Sequence, residues 1–287
     1  MDSKTLLARI FGRMFVRTLV PGARPKIVWL VPFVSRANSR DWERACAVLA
    51  ETLASVKAVE YDNWALVLCS QDRPACFPDG DPRFHFLPAP QLNLAKGISD
   101  HRHKIKMMTD YAAQTFREFV YLSHLDADDL LHPDLPGFIA RDGNGCGYIV
   151  EKGFMADARS GDLAPMGEPG DKPFWKDCGS CAYLAVDFAK ERLAPLHLRL
   201  IGKGHKTYVE RAAALGRPLD PVPFPAMIYV VNHGENIQDR KGNSKLMYLD
   251  RRRMTDPALI KAALDAFGLR LLAEPGLAGL LQVRREG

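Results

Sequence analysis

The sequence has no apolar run approaching the ~18 residues that a membrane-crossing helix needs. It also lacks a cysteine framework. Six cysteines stand at 46, 69, 76, 146, 178 and 181; only Cys178 and Cys181 form a CxxC, and no second pair completes a four-thiolate metal site. Their scattered spacing reads as the reduced thiols of a cytoplasmic protein. No strong charge excess is present: 39 Lys and Arg against 34 Asp and Glu leave +5, too mild to imply a nucleic-acid partner. Internal repeats and low-complexity tracts are missing as well. What remains, over 287 residues, is 47% apolar, 25% charged and 9% aromatic. That is ordinary globular usage, which excludes a disordered tail, a collagen or a coiled coil. The length suits one large α/β domain or two small ones.

Residues 4–19 carry an amphipathic pattern. Leu6, Leu7, Ile10, Phe11, Met14 and Phe15 recur at helical spacing, with Arg9, Arg13 and Arg17 opposite them, and Pro21-Gly22 ends the run. The charges break any signal-peptide core. A basic helix of this kind suits peripheral association with the inner membrane face, or packing against the body of the protein.

The first strand is expected at 26–31, stopped by Pro32. A helix follows on Trp42, Ala45, Cys46, Leu49, Leu53 and Val56, and a second buried strand runs through 64–69. Strand, helix and strand with near-continuous apolar strands make a parallel βαβ unit. Further strands are expected at 84–87, 119–125, 148–150, 181–186 and 226–231, with helices at 101–116, 134–140 and 206–215. Residues 153–180, rich in Gly, Pro and Asp, read as a long loop or hairpin excursion of the kind that binds something. Beyond the polar stretch 232–254, Asp256 caps a helix that opens on Pro257 and closes at Gly268. The expected division is an amphipathic helix over 1–22, a catalytic α/β domain over 23–238, and a loop with a helical extension over 239–287.

An Asp-x-Asp triplet means little by itself. With 23 aspartates, chance supplies roughly two such triplets in this length. Asp79-Gly80-Asp81 lies in a Pro/Gly loop and reads as a solvated turn. Asp126, Asp128 and Asp129 differ by position: they follow an apolar strand, and in open α/β sheets ligands bind beyond the strands' carboxyl ends. Carboxylates gathered there repel one another unless a cation joins them, and hard oxygen ligands suit Mg²⁺ or Mn²⁺. The competing reading is a cap for helix 134–140.

The segment Tyr121-Leu122-Ser123-His124-Leu125-Asp126-Ala127-Asp128-Asp129-Leu130 resembles the DxD segment of GT-A-fold, family-2-like glycosyltransferases. Thr52-Leu53-Ala54-Ser55-Val56-Lys57 followed by Tyr61-Asp62-Asn63-Trp64 resembles their first helix and turn, with Val59 and Glu60 in place of the usual Gln-Thr pair. Asp100-x-Arg102-x-Lys104 is similar to their basic sugar-nucleotide segment, and Val230-Val231-Asn232-His233-Gly234-Glu235-Asn236 to their C-terminal histidine region. Together these motifs span about residues 26–238.

The resemblance implies a GT-A-like fold with a mostly parallel central sheet flanked by helices. It implies a nucleoside-diphosphate sugar as donor, a glycan or glycolipid acceptor, and bacterial polysaccharide synthesis as the setting. Asp128 would be the direct ligand of Mn²⁺ or Mg²⁺, Asp126 would turn towards the sugar or ribose, and His233 would be the third ligand. Arg102 and Lys104 would face phosphate or base, and Asp72 the base; all three have surface or turn readings beside these. Arg240 and Lys241 could close over a diphosphate or form a solvated loop.

One part of the family pattern is missing. Such enzymes place a Glu-Asp pair at the start of the helix expected at 206–215, where this chain reads Gly202-Lys203-Gly204-His205-Lys206-Thr207-Tyr208-Val209-Glu210. His205, Glu210 and Asp177 are the candidates for the base that takes the acceptor proton. Cys178-Gly179-Ser180-Cys181 precedes a strand rather than opening a helix, so it reads as small residues packed beneath the acceptor site, not a redox pair. Two alternatives stand beside glycosyl transfer: a catalytically degenerate nucleotide- or carbohydrate-binding module, and a sugar nucleotidyltransferase. The latter wants a Gly-rich basic loop after the first strand, and residues 32–38 contain one Arg and no Gly.

Overall fold

A computed structural model describes residues 24–92, 100–191, 193–201, 204–235, 244–276 and 278–284. The helix expected over 4–19 lies outside these residues. In chain order the strands are β1 Lys26–Pro32, β2 Trp64–Ser70, β3 Phe84–Pro88, β4 Phe119–His124, β5 Leu130–Leu131, β6 Gly147–Ile149, β7 Gly153–Asp157, β8 Leu163–Met166, β9 Ala182–Asp187, β10 Asp220–Pro221, β11 Met227–Val231, β12 Leu269–Gly276 and β13 Gly279–Val283. The helices are α1 Trp42–Lys57, α2 His101–Thr115, α3 Leu135–Asp142, α4 Ala194–Ile201, α5 Tyr208–Ala214, α6 Ser244–Arg252 and α7 Pro257–Ala266.

Seven strands form the central sheet in the order β10-β6-β9-β4-β1-β2-β3. The pairs β1–β2, β2–β3, β1–β4 and β6–β10 are parallel, and only β9 runs against its neighbours. The α/β class with a mostly parallel sheet flanked by helices is therefore the observed fold. Strand β1 shows why a continuous apolar run was the right signal: Ile27 to Val31 are fully buried between layers, each such side chain contributing about 1.5–3 kcal/mol. Helix α1 begins where Asp41 accepts a hydrogen bond from the Arg44 N–H, and it buries Leu49, Leu53 and Val56 against the sheet.

A second sheet, β5-β11-β7-β8, packs beside the first. It contains the expected excursion, since β7 and β8 form an antiparallel hairpin. Two expectations need correction. Helix α6 occupies part of the polar stretch read as loop, because Leu246, Tyr248 and Leu249 turn inwards at helical spacing. The C-terminal extension is not helical throughout: β12 and β13 form a hairpin after α7. Leu269, Leu281 and Val283 bury themselves with Ala158, Ile228 and Val230. The hairpin is tied to the body by Leu280 N–H donating to Ala158 O (2.7 Å) and Val283 N–H donating to Glu51 (2.9 Å).

Candidate active site

Parallel pairing aligns the carboxyl ends of β1, β2 and β4 on one edge: Pro32 lies opposite Cys69, and Leu30 opposite His124. The residues just past these ends share that edge. Strand β9 is antiparallel to β4, with Tyr183 opposite Ser123, so the Cys178–Ser180 turn before β9 arrives beside Asp126–Asp129. Strand β11 is antiparallel to β5, with Ile228 opposite Leu130, so its carboxyl end heads back towards Asp128. Topology thus delivers His233 to the acidic run. His233 Nε2 lies 2.8 Å from Asp128 Oδ2, across 105 residues of sequence.

The acidic run is held from below. Ser180 Oγ accepts from the Asp126 N–H (2.7 Å) and donates to Asp129 Oδ2 (2.5 Å), which also accepts from the Cys178 thiol (3.1 Å). Asp129 is fully buried, and its Oδ1 has no hydrogen-bond partner among the described residues. Burial, then the charges of Asp128 and Asp126, push its carboxyl well above the usual range. Burial and the Asp128 charge push Asp126 from 3.8 up to about 7. Gly179 leaves room for this crowding; a Cβ there would stand 3.2 Å from Asp126 Oδ2. Both thiols of the CxxC are buried, and burial first, then neighbouring aspartates, push them well above the ordinary thiol range. That environment disfavours the thiolate and supports the packing reading over a redox one.

Three other residues of the site escaped the sequence reading. Ser180 is one. Tyr208, the buried first residue of α5, points its hydroxyl to within 3.4 Å of His124 Nδ1. Burial, with His101 nearby, holds His124 down at about 4, so the imidazole is neutral at physiological pH. The available signals were positional only: His124 ends β4, and Tyr208 heads the helix where the acidic pair was sought.

Most of the other predicted residues that are described have partners of their own. Asp72, two residues past β2, accepts from the Arg36 N–H at 2.8 Å in the loop after β1. Lys104 is buried; its ammonium donates to Phe33 O (2.6 Å), just past β1, and pairs with Asp100 (2.9 Å) at the start of its own helix. Arg102 is exposed on α2. Asp177 lies between Lys245 (2.6 Å) and Lys172 (3.1 Å). Burial alone would raise its carboxyl, but these two ammonium groups outweigh that and hold it below the ordinary value. Glu210 is exposed and pairs with Lys176 at 3.4 Å. His205 donates from Nδ1 to Trp175 O (2.7 Å), because a carbonyl can only accept. That tautomer leaves the lone pair on Nε2. Lys241, like Arg240, lies outside the described residues.

Asp126, Asp128 and His233 match a hard divalent cation in kind, two carboxylates and one imidazole. The uncompensated crowding at Asp126 and the orphaned Asp129 oxygen are what a cation would relieve. Among the described residues, no three His, Cys, Asp or Glu side chains already converge as a metal cage. No helix among them is long and apolar enough to cross a membrane.

No protein-family model matches the sequence, and no curated protein matches it. Solved structures with a similar layout include the apo form of the glycosyltransferase GlyE from Streptococcus pneumoniae TIGR4, at 10% identity and a TM-score of 0.36, covering 86% of this chain and 60% of that one. A second structure of GlyE gives 11% identity and 0.37, covering 85% of this chain and 64% of that one. An active-site mutant of LgtC gives 10% identity and 0.38, covering 83% of this chain and all of that one. The chain thus spans about three-fifths of the GlyE structures. Similarity at this level concerns the layout of the chain and says nothing about its site.

Proposed function

We propose that this chain is a metal-dependent glycosyltransferase that moves a sugar from a nucleoside-diphosphate sugar to an acceptor hydroxyl. One observation carries the reading. At a sheet edge of the ligand-binding kind, Asp128 meets His233 from 105 residues away, with Asp126 two residues before it in the chain. Such a donor set would hold Mn²⁺ or Mg²⁺ through Asp128, His233 and Asp126. When bound, the cation supplies Lewis-acid stabilisation of the charge that develops on a diphosphate leaving group.

The chain's own residues divide the rest of the work. Asp72, with the β1 and β2 loops around it, would face the base of a nucleotide, and buried Lys104 would steady that side of the site through Phe33 O. Of the three candidate bases, His205 has the fitting tautomer: Nδ1–H is fixed on Trp175 O, and Nε2 is left to take the acceptor's proton. Asp177 and Glu210 are each neutralised by lysine. Those two pairings also favour the second reading, a non-catalytic nucleotide- or carbohydrate-binding module.

The test is release of nucleoside diphosphate from a panel of nucleoside-diphosphate sugars with and without Mn²⁺. Metal-dependent release, abolished in Asp128→Ala, is expected of the transferase. Binding without release supports the module, and neither binding nor release removes both.

A further inference from the structure

The segment that presents His233 is gripped from two sides, and neither grip is explained by the fold alone. On one side, Asn232 adopts φ 63°, the left-handed region, as the sole non-glycine residue to do so among the described residues. Its Nδ2 donates to both oxygens of the buried Asp157 carboxylate (3.0 Å each), and its carbonyl accepts from Arg159 Nε at 3.1 Å. Left-handed backbone is strained for a non-glycine residue and persists where surrounding bonds over-determine it. On the other side, Glu235 reaches the residues that precede α1. Its carboxylate accepts from Ser39 Oγ (3.0 Å), Arg40 N–H (3.1 Å) and Asp41 N–H (2.8 Å). From the first turn of α1, Arg44 Nε donates to His233 O.

Between the two grips the imidazole has one orientation. Its Nδ1 accepts from the Glu235 N–H (3.4 Å), and Nε2 faces Asp128 Oδ2 (2.8 Å). An accepting Nδ1 means that the neutral ring carries its proton on Nε2 and donates it to Asp128. Both outer anchors use a carboxylate, whose hydrogen bonds are charge-assisted; among the described residues Glu235 takes three donors from the start of α1 where Asp157 takes one from Asn232, so Glu235 is the firmer of the two.

We propose that Glu235 is a positioning residue: it pins the 233–235 turn to the start of α1 and thereby aims the His233 ring at Asp128. The role in metal binding rests on the function proposed above; the ring orientation does not. To ligate a cation through Nε2 the ring would shift its proton to Nδ1 and give up the 3.4 Å contact with the Glu235 N–H, while the Glu235 carboxylate keeps the turn in place; groups that hold a ligating histidine typically contribute 10–100-fold in metal affinity.

The test uses full-length protein with ¹⁵N-labelled histidine, in Glu235→Ala and in the near-isosteric Glu235→Gln, which keeps the fold if the alanine variant does not. Without metal, the wild-type His233 ring should give the two-bond ¹H–¹⁵N pattern of the Nε2–H tautomer. Both variants should lose it to an averaged pattern. Titration with Mn²⁺ alone, read by electron paramagnetic resonance, should weaken about tenfold in Glu235→Ala, with the melting temperature little changed. Unaltered ring signals in both variants overturn the assignment, as does Mn²⁺ affinity within twofold of a binding wild type. If the wild type binds no Mn²⁺, the metal reading fails while the tautomer pattern still decides the role of Glu235.

Discussion

Replacing Asp126 by Asn separates electrostatic crowding from the mere loss of a side chain. Burial and the Asp128 charge lift the Asp126 carboxyl from 3.8 to about 7. The folded protein therefore holds this proton more tightly than the unfolded chain does. The stabilising contribution of that proton is complete below the unfolded value near pH 4, and it is lost as the pH rises towards 7. A lift of this size corresponds to about 4 kcal/mol, and since water reaches the partly buried side chain, screening reduces it to ~2 kcal/mol. Asparagine keeps the shape and removes the charge. In urea denaturation with EDTA, Asp126→Asn should exceed the wild type by ~2 kcal/mol at pH 8 and by less than half of that at pH 5. Mn²⁺ should stabilise the wild type at pH 8 far more than the variant. A difference between the two proteins that is the same at both pH values would refute the reasoning, because loss of a hydrogen bond has no such pH dependence.

Gly179→Ala places a Cβ at 3.2 Å from Asp126 Oδ2, so the carboxylate must give by a few tenths of an ångström. The expected outcome is a stability change below about 1 kcal/mol with a several-fold loss of Mn²⁺ affinity, checked by denaturation and metal titration of the same sample. Cys178 and Cys181, buried with their thiols held well above the ordinary range, should resist iodoacetamide at pH 8 in the native state and react only in urea; mass spectrometry of the alkylated peptides decides it.

The position of the acidic run was legible because it follows a strong local pattern. The run that forms β4 is apolar and continuous, so the acids that follow it had to emerge at a sheet edge. Helix α7 was legible from its ends, and Asp256 does accept from the Ala258 N–H. What stayed hidden depends on partners distant in sequence. Asp177 looked like a free carboxylate until folding brought Lys245 to it from 68 residues away. Ser180 carries no local signal, yet it bonds the backbone of Asp126 and the side chain of Asp129. The β12–β13 hairpin was missed since Leu271 is exposed and the strand shows no clean alternation; its burial comes from α7, β7 and β11. Helix α6 was missed for a related reason, being polar except where it meets the β7–β8 hairpin, as at the Tyr248 hydroxyl bonded to Pro165 O.

The most direct measurement is the melting temperature of wild type and Asp128→Ala against a panel of nucleoside diphosphates, each with and without Mn²⁺. For at least one nucleotide a rise that requires the metal is expected in the wild type, and its disappearance in Asp128→Ala while the melting temperature of the metal-free protein is kept. A nucleotide-induced rise that is indifferent to Mn²⁺, or one that survives intact in Asp128→Ala, would contradict that expectation.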